Sequence, residues 1–252
     1  MNLLYYIFGR CCMICGKTVD PRCIGGICDE CVREIAERRL VIPAGENRHV
    51  VSAYYFEGPL RRGLHRFKYG GKKAFGVYLG RKLADLYRQR GDRADIVTCV
   101  PRAKDGRHRM YNQSAVIAKK MAKELNLTFD GKLLRKRKGM KTQPECSTHL
   151  AREENAKRAY RSGSSPRDVT GQRVMLVDDL YTTGATVNAC CDLLKERGAA
   201  DTLAYTAFRA HPENLPPLVV NFDRLYVHQD FIGPASYPTR RFRRKHTPNK
   251  YF

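Results

Sequence analysis

Segments of strand composition alternate with segments of helical spacing, and this alternation constrains the fold more than any other feature of the sequence. The strand segments are rich in β-branched and aromatic residues and lie at 50–56, 95–100, 173–177 and 201–208. Helical spacing covers 60–90, with an interruption at YGGKK, and then 113–124 and 184–197. Alternating strands and helices predict a parallel sheet with covering helices, which is an α/β fold.

The sequence DDLYTTGAT follows the third predicted strand, at the turn into a helix where parallel α/β proteins bind ligands. Asp178 and Asp179 suit neutral hydroxyls or a metal-bound diol, because carboxylates accept hydrogen bonds. The turn offers a phosphate its backbone amides near Gly184 and three hydroxyl donors, which are Thr182, Thr183 and Thr186. The residue order fits neither a Walker loop nor a G-x-G-x-x-G dinucleotide loop. A ligand with a ribose diol and a 5′-phosphate would satisfy both halves of the sequence.

Six of the ten cysteines fall within residues 11–31. Two C-x2-C pairs, separated by 12 residues, are formed by Cys12, Cys15, Cys28 and Cys31. This spacing is typical of four-cysteine zinc sites, and four protein ligands close the coordination sphere, so we predict a structural Zn(II) rather than a catalytic one. Two alternatives stay open: the pairs are reduced thiols without metal, or Cys11 or Cys23 replaces one ligand.

The chain carries a formal net charge of +22, with 47 Lys or Arg against 25 Asp or Glu, which predicts attraction to polyanions. Residues 102–161 hold 17 of the basic and 6 of the acidic residues, and the sequences at 134–141 and 239–252 are basic with no nearby acid. We expect single-stranded nucleic acid as a partner, since no duplex-reading helix is apparent. The candidate contacts are Arg135, Lys136, Arg137, Lys138, Arg240, Arg241, Arg243 and Arg244. A solubilising arm is the alternative for the tail.

No apolar stretch reaches the roughly 20 residues of a membrane span. The opening MNLLYYIFG also lacks a basic leader and a small-residue cleavage pattern. From these features we expect a soluble cytoplasmic protein.

An apolar strand followed by Asp-Asp, two residues and Thr-Thr-Gly-Ala-Thr resembles the phosphoribosyl pyrophosphate (PRPP) motif of type I phosphoribosyltransferases. With the cysteine pairs, the sequences FKYGGKKAFGVYLGRKLA, RMYNQS and LAREENAKRAYR resemble the ComF family of competence-associated proteins, over nearly the whole chain up to about residue 210. The resemblance implies a parallel-sheet type I phosphoribosyltransferase fold with a small N-terminal zinc knuckle. It divides the chain into a knuckle at 1–45, a phosphoribosyltransferase-like domain at 46–210 and a C-terminal extension with a basic aromatic tail at 211–252.

The same resemblance implies a role for each part of the site. Asp178 and Asp179 would hold the ribose hydroxyls with Mg(II) and would be the catalytic carboxylates of an enzyme. The 5′-phosphate would bind to Tyr181, Thr182, Thr183, Gly184, Ala185 and Thr186. Pyrophosphate would lie against a basic loop that carries Arg102, Lys104 and Arg107, for which a solvated loop is the alternative. Asn112 and Gln113 either cap the helix that follows or contact the ligand.

Two functions follow from the resemblance. In the first, the protein binds PRPP and Mg(II) and is linked to DNA uptake or nucleic-acid processing, with a helicase or the uptake machinery as partner. In the second, it is a type I phosphoribosyltransferase that passes the phosphoribosyl group to a nucleobase or an amine. The fold does not choose between them, and the sequence contains no recognisable acceptor pocket.

Overall fold

Strands and helices alternate along the chain as the sequence pattern predicts. The computed structural model describes residues 10–19, 26–36, 43–44, 49–102, 111–137 and 149–210. The strands are β1 (Arg10–Cys11), β2 (Thr18–Val19), β3 (Pro43–Ala44), β4 (His49–Tyr55), β5 (Ile96–Cys99), β6 (Thr128–Phe129), β7 (Leu134–Lys136), β8 (Tyr160–Ser162), β9 (Arg173–Tyr181) and β10 (Asp201–Arg209). The helices are α1 (Asp29–Ala36), α2 (Gly58–Tyr69), α3 (Lys73–Arg90), α4 (Gln113–Leu125), α5 (His149–Ala159) and α6 (Ala185–Glu196).

The central sheet has six strands in the order β3-β4-β10-β9-β5-β6. The neighbours from β4 to β6 pair in parallel, and the short β3 runs antiparallel to β4 at the edge. Strands β9 and β10 lie in the middle and are buried over most of their length, as expected for a parallel sheet that is covered on both faces.

Alternate residues of β9 face two different hydrophobic layers. Met175 and Val177 pack in the layer that contains α2, α3 and α4, whereas Val174 and Leu176 pack in the layer that contains α5 and α6. This is the period of two that a pleated strand imposes on its side chains. The sheet therefore separates two helical layers, and the carboxyl ends of its parallel strands lie at one edge, where ligands bind in such folds.

The third predicted strand is longer than the sequence pattern indicates. The pattern predicts an end at residue 177, but β9 continues to Tyr181, and Asp178 pairs with Thr206 of β10 in the ladder. The turn into α6 is correspondingly short and consists of residues 182–184. The polar side chains of Asp178 and Asp179 make the sequence pattern predict too early an end for the strand. Its actual end is set by parallel backbone pairing with β10.

Two smaller features do not follow from the sequence pattern. Strands β7 and β8 form a separate antiparallel pair, and α5 precedes β8. The α5 sequence, HLAREENAKRA, has no apolar stripe from which a helix could be predicted.

None of the described helices is long and apolar enough to cross a membrane.

Candidate functional site

The two predicted carboxylates lie side by side near the carboxyl end of β9. Asp178 is 8% exposed, and its Oδ1 accepts hydrogen bonds from Ser114 Oγ at 2.8 Å and from the backbone N–H of Asp179 at 2.8 Å. Oδ2 of Asp179 lies 2.8 Å from Nζ of Lys68, in an ion pair whose side chains are 14% and 17% exposed. Both carboxylates are thus held by groups from helices α4 and α2.

Burial raises the pKa of Asp178 to about 7, and the negative charge of Asp179 adds to the rise. The hydrogen bonds to Asp178 and the positive charge of Lys68 oppose it. Two carboxylates in a desolvated site cannot both ionise cheaply without a cation nearby. The pair therefore favours a ligand that brings positive charge or hydroxyl donors.

The sequence YNQS at 111–114 places the start of α4 against the end of α2. The Tyr111 hydroxyl donates to the carbonyl of Phe67 at 2.5 Å, and the Gln113 side-chain amide donates to the carbonyl of Lys68 at 3.5 Å. Gln113 is 3% exposed, so it serves the helix contact from a buried position. These contacts fix the backbone of the turn that carries Lys68.

Asn112 connects α4 to β5. Its side-chain oxygen accepts from the backbone N–H of Ser114 at 3.1 Å, which is an N-cap contact, and its amide donates to the carbonyl of Val100 at 3.0 Å. The capping role that the sequence left open for Asn112 is therefore present. Because the cap positions Ser114, it also orients the hydroxyl that binds Asp178.

Lys68 and Ser114 are not singled out by the sequence. Lys68 falls in FKYGG, where it continues the basic composition of its helix, and Ser114 is separated from Asp178 by 64 residues. One sequence feature could have identified Lys68: it is a lysine next to the buried Phe67, on the mostly buried side of an amphipathic helix. A charged residue at such a position needs a partner.

The predicted phosphate loop ends at a helix start. Gly184 has φ of +82° and occupies the N-cap position of α6 without a side-chain cap, so no such cap would compete with an anion for the first amides of the helix. A Cβ at Gly184 would lie 2.6 Å from the Tyr181 hydroxyl oxygen, so this close approach requires glycine. Ala185 begins α6, Thr182 is exposed and Thr183 is half-buried.

Two other members of the predicted phosphate group have protein partners. Thr186 lies near the phenol of Tyr160 in β8: burial raises the pKa of that phenol, and the Thr186 hydroxyl opposes the rise. The guanidinium of Arg209 lies 5.3 Å from the ring centroid of Tyr181. Tyr181 therefore packs between the loop glycine and a cation at the end of β10.

Of the three residues predicted to bind pyrophosphate, the structure describes one. Arg102 lies just beyond β5 and donates to the carbonyl of Tyr111 at 3.1 Å, which brings its guanidinium to the same edge of the sheet. Lys104 and Arg107 lie outside the described residues. Their role stays a prediction.

The four predicted zinc ligands lie together. The Sγ atoms of Cys12, Cys15, Cys28 and Cys31 all lie within 4.8 Å of one another, and no other such metal-binding group occurs among the described residues. Sγ of Cys15 lies 3.7 Å from Sγ of Cys28, close to the edge of about 3.8 Å in a tetrahedron with Zn–S bonds of about 2.3 Å. Cys11 is exposed and outside the cluster, and Cys23 lies outside the described residues.

The turns that carry these cysteines use glycine where φ is positive. Gly16 has φ of +86° and Gly26 has φ of +69°. Burial raises the pKa of the Cys28 and Cys31 thiols, whereas backbone N–H groups, those of Cys28 and Cys15 among them, lower the pKa of Cys12 to about 6 against the effect of burial. A sulfur held as thiolate is the form that binds a metal ion, so the cluster can hold one.

The basic residues predicted for nucleic acid divide between described and undescribed parts of the chain. Arg135 and Arg137 are exposed, while Lys136 lies with its ammonium 5.7 Å from the ring centroid of Tyr160. In the β7–β8 pair Arg135 is opposite Arg161, so two cations share one short sheet. The other predicted contacts, Lys138, Arg240, Arg241, Arg243 and Arg244, lie outside the described residues.

Comparison with known protein families gives the class of the protein. The phosphoribosyl transferase domain family matches residues 110–223, which include the carboxylate pair and the loop before α6. With the parallel sheet and the N-terminal cysteine cluster, this match confirms the fold class predicted from the sequence. The chain therefore has a phosphoribosyltransferase type of fold, and over residues 110–223 it is similar to phosphoribosyl transferase domains.

The relatives narrow that class. The DNA utilization protein YhgH of Salmonella typhimurium is 28% identical over an alignment of 203 residues, and the match covers 75% of this chain and 86% of that protein. The competence protein ComFC of Bacillus subtilis is 24% identical over an alignment of 214 residues, and the match covers 81% of this chain and 80% of that protein. These relatives confirm the resemblance of the chain to the ComF family.

Among solved structures, the adenine phosphoribosyltransferase of Thermoanaerobacter pseudethanolicus is 18% identical, with a TM-score of 0.38, and the match covers 71% of this chain and 99% of that one. A similarity of this size carries no argument about the ligand.

Proposed function

We propose that the protein binds PRPP together with Mg²⁺ at the carboxyl end of β9. The observation that carries this proposal is the buried pair of Asp178 and Asp179, a few residues before the glycine that opens α6. Carboxylates suit the ribose hydroxyls and Mg²⁺, and the amides at a helix start suit the 5′-phosphate. PRPP carries both kinds of group in one molecule.

The chemistry of the donor set fits Mg²⁺, which binds to proteins through one or two carboxylates and substrate phosphates. Asp178 and Asp179 would hold it, and the bound ion would stabilise negative charge on the diphosphate. Because Asp178 has a raised pKa, ligand binding would draw its proton off. Lys68, which neutralises Asp179, would then be available to an anionic group of the ligand.

The remaining contacts come from the chain around the pair. The loop from Tyr181 to Thr186 would hold the 5′-phosphate, with Gly184 allowing its close approach. Arg102, Lys104 and Arg107 would take the pyrophosphate, since guanidinium groups match phosphate oxygens. The knuckle at 1–45 would be held by a structural Zn²⁺, the domain at 46–210 would bind the ligand, and 211–252 would form the basic extension.

The direct test is a double variant, Asp178→Asn with Asp179→Asn, which keeps the size of both side chains and removes their charge. We expect weaker PRPP binding in calorimetric titrations with Mg²⁺, since each charge-assisted hydrogen bond is worth about 1.5–3 kcal/mol. Asp85→Asn, at an exposed site on α3, is the matched control. Equal PRPP affinity for wild type and double variant, with both proteins folded, would reject the site.

We also propose that the protein acts in DNA uptake or DNA processing. Its relatives are named for competence and DNA utilization, and its net charge of +22 exceeds what one diphosphate requires. Single-stranded nucleic acid would contact the basic residues of the β7 segment and the tail, and a helicase or the uptake machinery would be the protein partner. The candidate contacts are Arg135, Lys136, Arg137, Lys138, Arg240, Arg241, Arg243 and Arg244.

A second candidate function is transfer of the phosphoribosyl group to a nucleobase or an amine. One observation favours it: the family that matches residues 110–223 is described as a phosphoribosyl transferase domain. Incubation with PRPP, Mg²⁺ and a panel of nucleobases and amines, with pyrophosphate release as the readout, tests it. Binding of PRPP without release for any acceptor would favour the binding function.

A further inference from the structure

A groove of about 640 Å³ follows α2 and continues to the cysteine cluster. Cys15 forms part of its wall at one end, and Phe56, just beyond β4, forms another part. The polar and aromatic lining from α2 consists of Arg61, Arg62, His65, Arg66, Lys68 and Tyr69. The sequence patterns assign no role to these residues.

Four cations of α2 line the groove, and they belong to a run of sequence without acidic residues. Residues 58–84 contain eight Lys or Arg and no Asp or Glu. Arg61 and Arg62 are exposed near the start of α2, and Lys68 is the member of this run that pairs with a carboxylate of the ligand site. Such a surface attracts polyanions, and the attraction is concentrated where it is concave.

The same face also offers aromatic surfaces. Arg61, His65 and Tyr69 follow one another at intervals of four residues, which places them along one side of the helix. The rings of His65 and Tyr69 have centroids 4.8 Å apart, and Tyr69 is 51% exposed. Exposed rings beside cations are the combination on which unpaired bases stack while phosphates meet arginine.

The cysteine cluster gives a competing explanation for part of this charge. Four thiolates on one Zn²⁺ leave a negative site, and Arg66 lies against it: a Cβ at Gly16 would be 2.1 Å from Nη1 of Arg66. Arg61 is placed differently, with its guanidinium 5.5 Å from the ring centroid of Phe56. The negative charge of the cluster therefore explains the position of Arg66. It does not explain the side of α2 that carries Arg61, His65 and Tyr69.

We propose that the groove along α2 binds single-stranded nucleic acid, with phosphates against Arg61 and Arg62 and a base on the ring of Tyr69. This inference rests on the proposed role in DNA handling, and it assigns a surface different from the β7 segment and the tail. Because Lys68 lines the groove and contacts Asp179, the strand would pass directly beside the proposed PRPP site.

The test is fluorescence anisotropy of a labelled oligothymidine with full-length protein at two salt concentrations. Arg61→Gln with Arg62→Gln should weaken binding and flatten the salt dependence by about 0.7 for each phosphate that an arginine no longer neutralises. Lys123→Gln with Lys195→Gln removes the same charge from exposed sites on α4 and α6 and should leave both quantities unchanged. A protein that ends at residue 238 reports separately on the tail.

Stacking is tested at Tyr69. Tyr69→Ala should lower affinity about tenfold, whereas Tyr69→Phe should keep it, because the ring and not the hydroxyl meets the base. An abasic strand of equal length should bind wild type and Tyr69→Ala alike. Equal weakening on the abasic strand would mean that the ring does not stack on bases, and this would overturn the proposal.

Three other outcomes would also overturn the proposal, and each has a different meaning. If wild type binds the strand but the groove variants bind it equally well, the groove is not the site, although the role in DNA handling stands. If wild type binds no strand while PRPP still binds, the link to nucleic acid fails and the ligand site survives. If Arg61→Gln with Arg62→Gln lowers metal content, the arginines serve the cysteine cluster.

Discussion

The ammonium group of Lys68 lies 2.8 Å from Oδ2 of Asp179, and this ion pair joins the last turn of α2 to the carboxyl end of β9. Both side chains are mostly buried, so the pair is screened less by water than a surface pair would be. A metal ion that binds Asp179 has to displace or share this lysine. Without a ligand, Lys68 therefore offsets the charge of Asp179 but not that of Asp178 at the candidate site.

The first prediction concerns the pH dependence of stability. Burial, together with the charge of Asp179, raises the pKa of Asp178 to about 7 from an ordinary value near 3.8. For an acid with a raised pKa in the folded state, the folded protein binds the extra proton between these values, so stability falls as pH rises from about 4 to 7. Asp178→Asn should remove this fall, and thermal denaturation at pH 5 and pH 8 measures it.

Lys68→Met provides the opposite change. The positive charge of Lys68 lowers the pKa of Asp178, so its removal should raise that pKa further and make the decline in stability steeper. The melting temperature of Asp178→Asn relative to wild type should thus rise with pH, and that of Lys68→Met should fall. A constant difference from wild type at both pH values, for both variants, would contradict the assigned titration.

The second prediction concerns the glycine that opens α6. In Gly184→Ala the new methyl group would meet the Tyr181 hydroxyl oxygen at 2.6 Å, and φ of +82° adds strain. We expect weaker PRPP binding, because the loop must shift away from the phosphate. Calorimetric titration with Mg²⁺ measures the affinity, and thermal denaturation shows whether the fold is kept.

Gly91→Ala is the matched control for this change. Gly91 also has a positive φ, of +66°, but a Cβ there would meet nothing within 4 Å. Its decrease in stability, about 1 kcal/mol, should reflect backbone strain alone and leave PRPP affinity unchanged. If both glycine variants bind PRPP like wild type, the turn before α6 does not hold the phosphate.

Much of the fold can be predicted because its strands are compositionally distinct. Strands β4, β5 and β10 match the β-branched and aromatic segments to within a residue or two, and α4 begins at the predicted Gln113. The predicted end of β9 is wrong for a physical reason: Asp178 and Asp179 look like a loop, but β9 stays paired with β10 past them. The polar side chains of Asp178 and Asp179 show that the end of β9 carries a site. The position of that end is set by backbone pairing with β10.

The candidate site can be predicted only where it is continuous in sequence. The carboxylate pair, the glycine turn and the cysteine pairs are local patterns with fixed spacing, and each stays together in the structure. Lys68 and Ser114 reach the pair through the packing of α2 and α4 against the sheet. Nothing in their local sequence specifies a partner so far along the chain.

We expect the cysteine segment to depend on a metal, because it has little core of its own. Its strands β1 and β2 have two residues each, and α1 has eight. Ile14, Ile27 and Ile35 are buried, but they pack in the layer shared with α2 and α3. In such a short segment, the energy of metal binding would keep the turns in place.

The third prediction is therefore about one zinc per chain in protein purified without added zinc, measured by metal analysis. Cys28→Ser removes one of four ligands and should lower both the zinc content and the melting temperature, with a smaller effect on PRPP affinity, because the ligand site lies on β9. Cys11→Ser is the matched control, since Cys11 is exposed and lies outside the cluster. Cys11→Ser should change neither the zinc content nor the melting temperature. Less than about 0.2 equivalents of zinc in wild type, with all thiols open to titration, would contradict the site.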